Sequence, residues 1–190
     1  MKHNYRKIII LAMLVTVSLY ACDLFDTGKK YYVDNPTNAP LKVVLDGNIT
    51  MELAPHEYRR VKIKPGNHEI SVGYGTPVSF TIKDNQPGKG GLINPLGAKY
   101  VLWTQSYAAD RGASYIPTQV ISWNGQEIKG PFIVDSSTYI VNSWWYDVET
   151  PFPKAVSVSD NTSEAWVSKL FRADDFTREY RKLQEQRGAQ

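Results

Sequence analysis

Apolar and polar side chains alternate with a period of two between Leu41 and Ile82, the repeat of strands with one face buried. Leu41, Val43 and Leu45 stand opposite Lys42 and Val44, and Ile49, Met51 and Leu53 opposite Thr50 and Glu52. Asp46-Gly47-Asn48 separates these runs, and Asp-Gly between two alternating segments predicts a β-hairpin. After Ala54-Pro55, Val61 and Ile63 alternate with Arg60, Lys62 and Lys64, and Pro65-Gly66-Asn67 turns the chain again. His68, Ile70, Val72 and Tyr74 then share a side, as do Val78, Phe80 and Ile82. Five short strands punctuated by proline and glycine predict an antiparallel sandwich or small barrel.

The pattern resumes after Asn85-Gln86-Pro87-Gly88-Lys89-Gly90-Gly91, which reads as a connector. Its glycines lack the Gly-Lys-Ser/Thr ending of a phosphate loop. Tyr100 to Tyr107, Val120 to Trp123, Phe132 to Val134 and Tyr139 to Trp145 are apolar, aromatic and β-branched, with Asn124-Gly125 as a second hairpin turn. Pro151-Phe152-Pro153 closes this strand region, because proline cannot donate to a central ladder. Beyond it Trp166, Leu170, Ala173, Phe176, Tyr180 and Leu183 recur at spacings of three and four. That predicts one amphipathic helix over 163–186, capped by Asn161 or Thr162, interruptible at Asp174-Asp175 and ended by Gly188. The expected fold is therefore mainly β, an antiparallel sandwich-like body with one C-terminal amphipathic helix.

The first residues follow neither period. Lys2, Arg6 and Lys7 precede an apolar run from Ile8 to Ala21, the charged head and apolar middle of an export signal. A membrane span needs roughly 20 apolar residues, and this run contains Thr16, Ser18 and Tyr20 and stops at Asp23. The run ends in Leu19-Tyr20-Ala21-Cys22, which resembles the lipobox of bacterial lipoproteins. The resemblance implies cleavage before Cys22, a diacylated Cys22 sulfur carrying palmitate-type chains, and usually an acylated new N-terminus. Two or three acyl chains give stable anchoring without a span. Asp23 resembles the signal that, in enteric-type bacteria, retains lipoproteins in the inner membrane, which favours its periplasmic face over the outer membrane or cell surface. An ordinary secretory signal is the alternative, but Cys22 is the single cysteine of 190 residues and would then be an isolated exported thiol.

Lys2, Arg6 and Lys7 also account for the formal charge of +3; without residues 1–21, 19 basic and 19 acidic side chains remain. An essentially neutral body argues against a nucleic-acid partner, which would need a basic surface. The organisation implied is a signal over 1–21, a lipidated tether over 22–30, a sandwich-like region over 31–85, a Gly/Pro connector over 86–98, a second β region over 99–158 and the helix within 159–190. Leu41-Lys42-Val43-Val44-Leu45-Asp46-Gly47, followed by Ile63 to Val72, is similar to the PEGA-like β-modules of bacterial surface proteins. That similarity implies a fold and no ligand.

Candidate chemistry is sparse. His56 and His68 each precede a glutamate, but Arg60 and Val72 stand where a zinc motif needs its second histidine, so no metal or cofactor is expected. No G-x-S-x-G elbow occurs. Asp147 and Glu149 have the spacing of a carboxylate pair on one strand face, which glycoside chemistry could use, although such a pair usually marks a solvated edge. Arg60, Lys62 and Lys64 form a basic row suited to anionic headgroups or to open water. In a strand Trp144, Trp145 and Tyr146 cannot all face the core, so at least one lies under the helix stripe or forms a contact for a protein or glycan. The implied role is non-catalytic binding or support in the cell envelope, with the bilayer and an envelope protein or glycan as partners; an envelope hydrolase and an inhibitor or immunity-type lipoprotein are the alternatives.

Overall fold

A computed structural model of the chain describes residues 29–84, 90–108, 116–153, 155–156 and 164–188. The expected signal, Cys22 and most of the tether lie outside the described residues. Thirteen strands and one helix follow in order: β1 (Tyr31–Asp34), β2 (Leu41–Leu45), β3 (Ile49–Leu53), β4 (Tyr58–Val61), β5 (Gly66–Val72), β6 (Val78–Ile82), β7 (Gly91–Ile93), β8 (Tyr100–Ala108), β9 (Gln119–Trp123), β10 (Gln126–Gly130), β11 (Phe132–Asp135), β12 (Tyr139–Val141), β13 (Glu164–Arg172) and α1 (Ala173–Gly188).

The strands stack as layers. An outer sheet has the order β3-β2-β5-β6, an inner sheet β12-β7-β1-β4 and a third sheet β11-β8-β13. Beyond the third sheet lie α1 and the β9–β10 hairpin. Tyr31, Val33 and Ile93 of the inner sheet pack on Leu45, Leu53, Ile70 and Ile82 of the outer one. Leu92 and Ile140 point the other way, against Tyr100 and Leu170 of the third sheet. The inner sheet is thus buried on both faces, and it contains the parallel pairing β1–β7, as expected of a parallel ladder. A third core joins the far side of the third sheet to the helix through Trp103, Trp123, Phe132, Phe171 and Phe176. The mainly β, sandwich-like body with one C-terminal helix is the fold.

Local chemistry explains both hairpin turns. Asp46 and Gly47 have φ of 52° and 69°, and Asn124 and Gly125 have φ of 50° and 77°, the positive pair that a type I′ turn demands.

Two expectations change. The connector over 86–98 is not one in its described part: Gly91–Ile93 is β7, in the interior of the inner sheet, while residues 85–89 lie outside the described residues. Asn94 locks the turn that follows, its Nδ2 donating to the carbonyls of Ala98 (2.8 Å) and Ser137 (3.2 Å) and its Oδ1 accepting from the Ala98 amide (3.0 Å). Gly91 serves close approach, since a Cβ there would lie 2.5 Å from the Tyr139 ring and 2.6 Å from the Ile140 oxygen. Because β7 and β12 pair into the sheet that holds β1 and β4, the two expected β regions share one sheet.

The second change concerns the helix. Residues 164–172 form β13, laddered antiparallel to β8 from Glu164↔Ala108 to Arg172↔Tyr100, and the helix begins only at Ala173. Trp166 and Leu170 of the expected helical stripe therefore belong to a strand. Nine backbone pairs to a distant partner outweigh a spacing of three and four, which two-sided strand burial also permits: Val167 and Phe171 pack on one face and Leu170 on the other. Asp174 and Asp175 sit in the first turn of α1, where carboxylates complement the helix dipole.

Candidate functional site

Tyr139–Val141 is strand, but the chain then leaves the inner sheet instead of continuing extended to Trp145. The Asn142 amide donates to the Gly90 carbonyl (3.1 Å), and the Asn142 side chain accepts from the Trp144 amide (3.1 Å), turning the backbone. Trp144 is consequently buried, 8% exposed, against Leu92, Tyr100 and Leu170. Trp145 stands 76% exposed, and Tyr146 is partly buried. The amides of Trp145 and Tyr146 both donate to the Ser168 carbonyl (2.8 and 3.1 Å), and the Leu170 amide donates to the Tyr146 carbonyl (3.0 Å). A large apolar ring is thus held in water on backbone anchored to β13. The cover that a helical stripe would have supplied is absent, because Trp166 and Leu170 are strand residues and Trp166 is itself 45% exposed.

The loop after Tyr146 closes over a lysine. Lys169, 6% exposed, donates from Nζ to the carbonyls of Asp147 (2.5 Å) and Thr150 (2.6 Å) and lies 4.7 Å from the centre of the Phe171 ring. Burial pushes its pKa down to about 8, against the raising influence of the Asp147 and Asp175 charges. The Asp147 carboxylate is occupied within its own turn, accepting from the amides of Glu149 (3.2 Å) and Thr150 (3.0 Å) and the Thr150 hydroxyl (2.8 Å). Asp147 and Glu149 lie on that turn, not on one strand face.

One charged group is central to the fold and had no signal in the sequence. Asp34, fully buried at the end of β1, accepts from Arg172 Nε (2.9 Å to Oδ2) and Nη2 (2.6 Å to Oδ1) and from the Tyr100 hydroxyl (2.5 Å). Arg172 Nη2 also donates to the His56 carbonyl (3.0 Å). Burial, then the Asp34 charge and hydrogen bond, push the Tyr100 pKa far up, and Asp34 raises that of Arg172 although burial alone would lower it. Periodicity marks Tyr100 as apolar and Arg172 as a polar helix position, so nothing in the sequence joins residues 138 positions apart.

The histidines are structural. His68 places Nδ1 2.9 Å from Asp46 Oδ2 and Nε2 2.8 Å from the Lys64 carbonyl, and His56 Nε2 lies 2.7 Å from Asn38 Oδ1. Among the described residues no group of three or more His, Cys, Asp or Glu side chains is arranged to hold a metal, and no helix is long and apolar enough to cross a membrane. A cavity of about 510 Å³ opens between the third sheet, β10 and α1, with Trp103, Phe132, Tyr180 and Leu183 as apolar wall and Gln105, Thr118 and Lys129 as polar rim. No carboxylate is among the residues that line it. No family model, curated protein or solved structure matches this chain.

Proposed function

We propose that this chain is a bacterial lipoprotein, anchored through an acylated Cys22 and acting without catalysis, whose body engages an envelope component through Trp145. Of the three neighbouring aromatics, Trp144 is a core residue and Tyr146 braces the backbone, which leaves Trp145 as the contact. The observation that carries the binding reading is its 76% exposure on a segment fixed by three backbone hydrogen bonds to β13. An ordered aromatic side chain loses little entropy on binding, which makes it a good anchor. Asp23 favours the periplasmic face of the inner membrane.

Mass spectrometry of the protein from its native membrane tests the anchor. The expected N-terminal peptide begins at acylated Cys22; a peptide starting elsewhere with a free thiol overturns anchoring. A photo-crosslinking side chain at position 145 tests the contact, with one at 144 as the buried control. A discrete adduct from 145 alone supports the reading, and equal yields from both positions contradict it.

A further inference from the structure

The register gathers one set of side chains at the end of the body where β1 begins. Tyr31 is paired with Val61 on one side and with Gly91 on the other, and Gly91 in turn with Val141. The segments running off that end are therefore Lys29-Lys30 before β1, Lys62 to Lys64 after β4, Gly90 before β7 and Asn142 to Trp145 after β12. In the outer sheet Gly66 pairs with Ile82, which brings Lys83 and Asp84 to the same end, and Lys29 Nζ donates to the Asp84 carbonyl (2.8 Å). Lys30, Lys62, Lys64 and Lys83 are exposed there, and Val141, the last residue of β12, and Trp145, four residues further on, are exposed as well. Of the described carboxylates at this end, Asp46 lies 2.9 Å from His68 and Asp84 3.3 Å from Lys29, and Glu69 stands opposite Asp46.

This is also the end from which the tether departs. Cys22 and Lys29 are seven residue steps apart, with six residues between them, and at about 3.6 Å per extended step the chain spans no more than about 25 Å. A bilayer that holds Cys22 is accordingly kept close to this end, at the high effective concentration that a short linker imposes.

We infer that this lysine- and tryptophan-bearing end docks on the bilayer itself, the lysines facing anionic headgroups and Trp145 entering the interface, an inference that rests on the acyl anchor proposed at Cys22. Lysines near a surface are drawn to anionic lipid within a Debye length. Tryptophan settles at the headgroup level because its ring is apolar and its N–H polar. Exposed lysines and the tether's exit coincide at this end, and the outward indole stands on the segment that leaves it, which favours a lipid surface over a protein or glycan as the component that Trp145 meets.

The test uses the full lipidated protein in vesicles with brominated acyl chains, which quench tryptophan on contact, with and without about one third phosphatidylglycerol. The expected result is quenching in the anionic vesicles that Trp145→Phe abolishes, although four of the five tryptophans are retained. Lys30→Glu combined with Lys64→Glu, and separately high salt, should each reduce that quenching at least about twofold. No quenching of the wild type, or equal quenching in Trp145→Phe, overturns the inference. So does a crosslink from position 145 to one envelope protein in place of lipid. Failure of the anchor is a separate observation, because the protein would then not float with vesicles of either composition.

Discussion

At the Asp34 end of β1 a carboxylate, a guanidinium and a phenol are sealed together between two sheets; at the Tyr31 end, three residues away, lysines stand in water and a phenol is buried by itself. Tyr100 donates to Asp34 (2.5 Å), whereas the Tyr31 hydroxyl has no hydrogen-bond partner among the described residues. The same side chain thus does opposite work at the two ends. Charge taken out of water needs a partner with matching geometry, and Arg172 provides it with a two-pronged contact on Asp34. Charge left in water carries no such requirement. The first end joins layers, because Asp34 belongs to β1, Tyr100 to β8 and Arg172 to the β13–α1 junction. The second has the composition of a contact surface.

The strongest way to break the comparison is Arg172→Met, which leaves Asp34 buried and uncompensated. A loss of about 3–5 kcal/mol is expected in urea unfolding, the cost of orphaning one member of a buried pair. Lys169 sharpens the point, being buried to the same 6% as Arg172 but bonded to carbonyls instead of a carboxylate. Its pKa falls from 10.5 to about 8 on folding. Below about pH 8 folded and unfolded chains both carry the proton; between about 8 and 10.5 the unfolded chain holds more of it; above, neither does. The stability of the wild type relative to Lys169→Met should therefore rise with pH across that window, by at most about 3 kcal/mol. Parallel unfolding titrations of the two proteins measure it, and a flat difference contradicts the burial argument.

Smaller effects are expected from the phenols. Tyr100→Phe removes a hydrogen bond to a charged group, which costs about 1.5–3 kcal/mol, while Tyr31→Phe removes a buried donor without a partner and should be neutral or stabilising by about 1 kcal/mol. Opposite signs from one substitution at the two ends would be the clearest support for the contrast. Least of all, Trp145→Ala should alter unfolding free energy by no more than about 0.5 kcal/mol, as for other exposed positions, while removing the proposed contact.

How much of this was legible in the chain depends on how far each feature reaches. The β2–β3 and β9–β10 hairpins could be read, because Asp46-Gly47 and Asn124-Gly125 satisfy their positive φ within the turns themselves. The candidate surface was half legible: strand alternation kept Trp144, Trp145 and Tyr146 from all facing the core but could not say which one leaves it or whether the helix covers it, since Asn142 and Ser168 make that choice. The glycines at 90 and 91 looked like slack and are spacers between packed strands, because the Lys30 backbone that excludes a Cβ at Gly90 and the Tyr139 ring that excludes one at Gly91 come from far along the chain.

Alternation and turn chemistry by themselves determined a mainly β body, its hairpins and a helix near the C-terminus, since each is set by residues within a few positions of one another. Only the tertiary structure decided that 164–172 is a strand, that Asp34 meets Arg172, and which indole faces water. The strand and the ion pair depend on partners 56 or more residues distant, Glu164 to Arg172 finding β8 and Arg172 finding β1, and the indole depends on Ser168, 23 residues beyond Trp145; local spacing carries no record of such a partner.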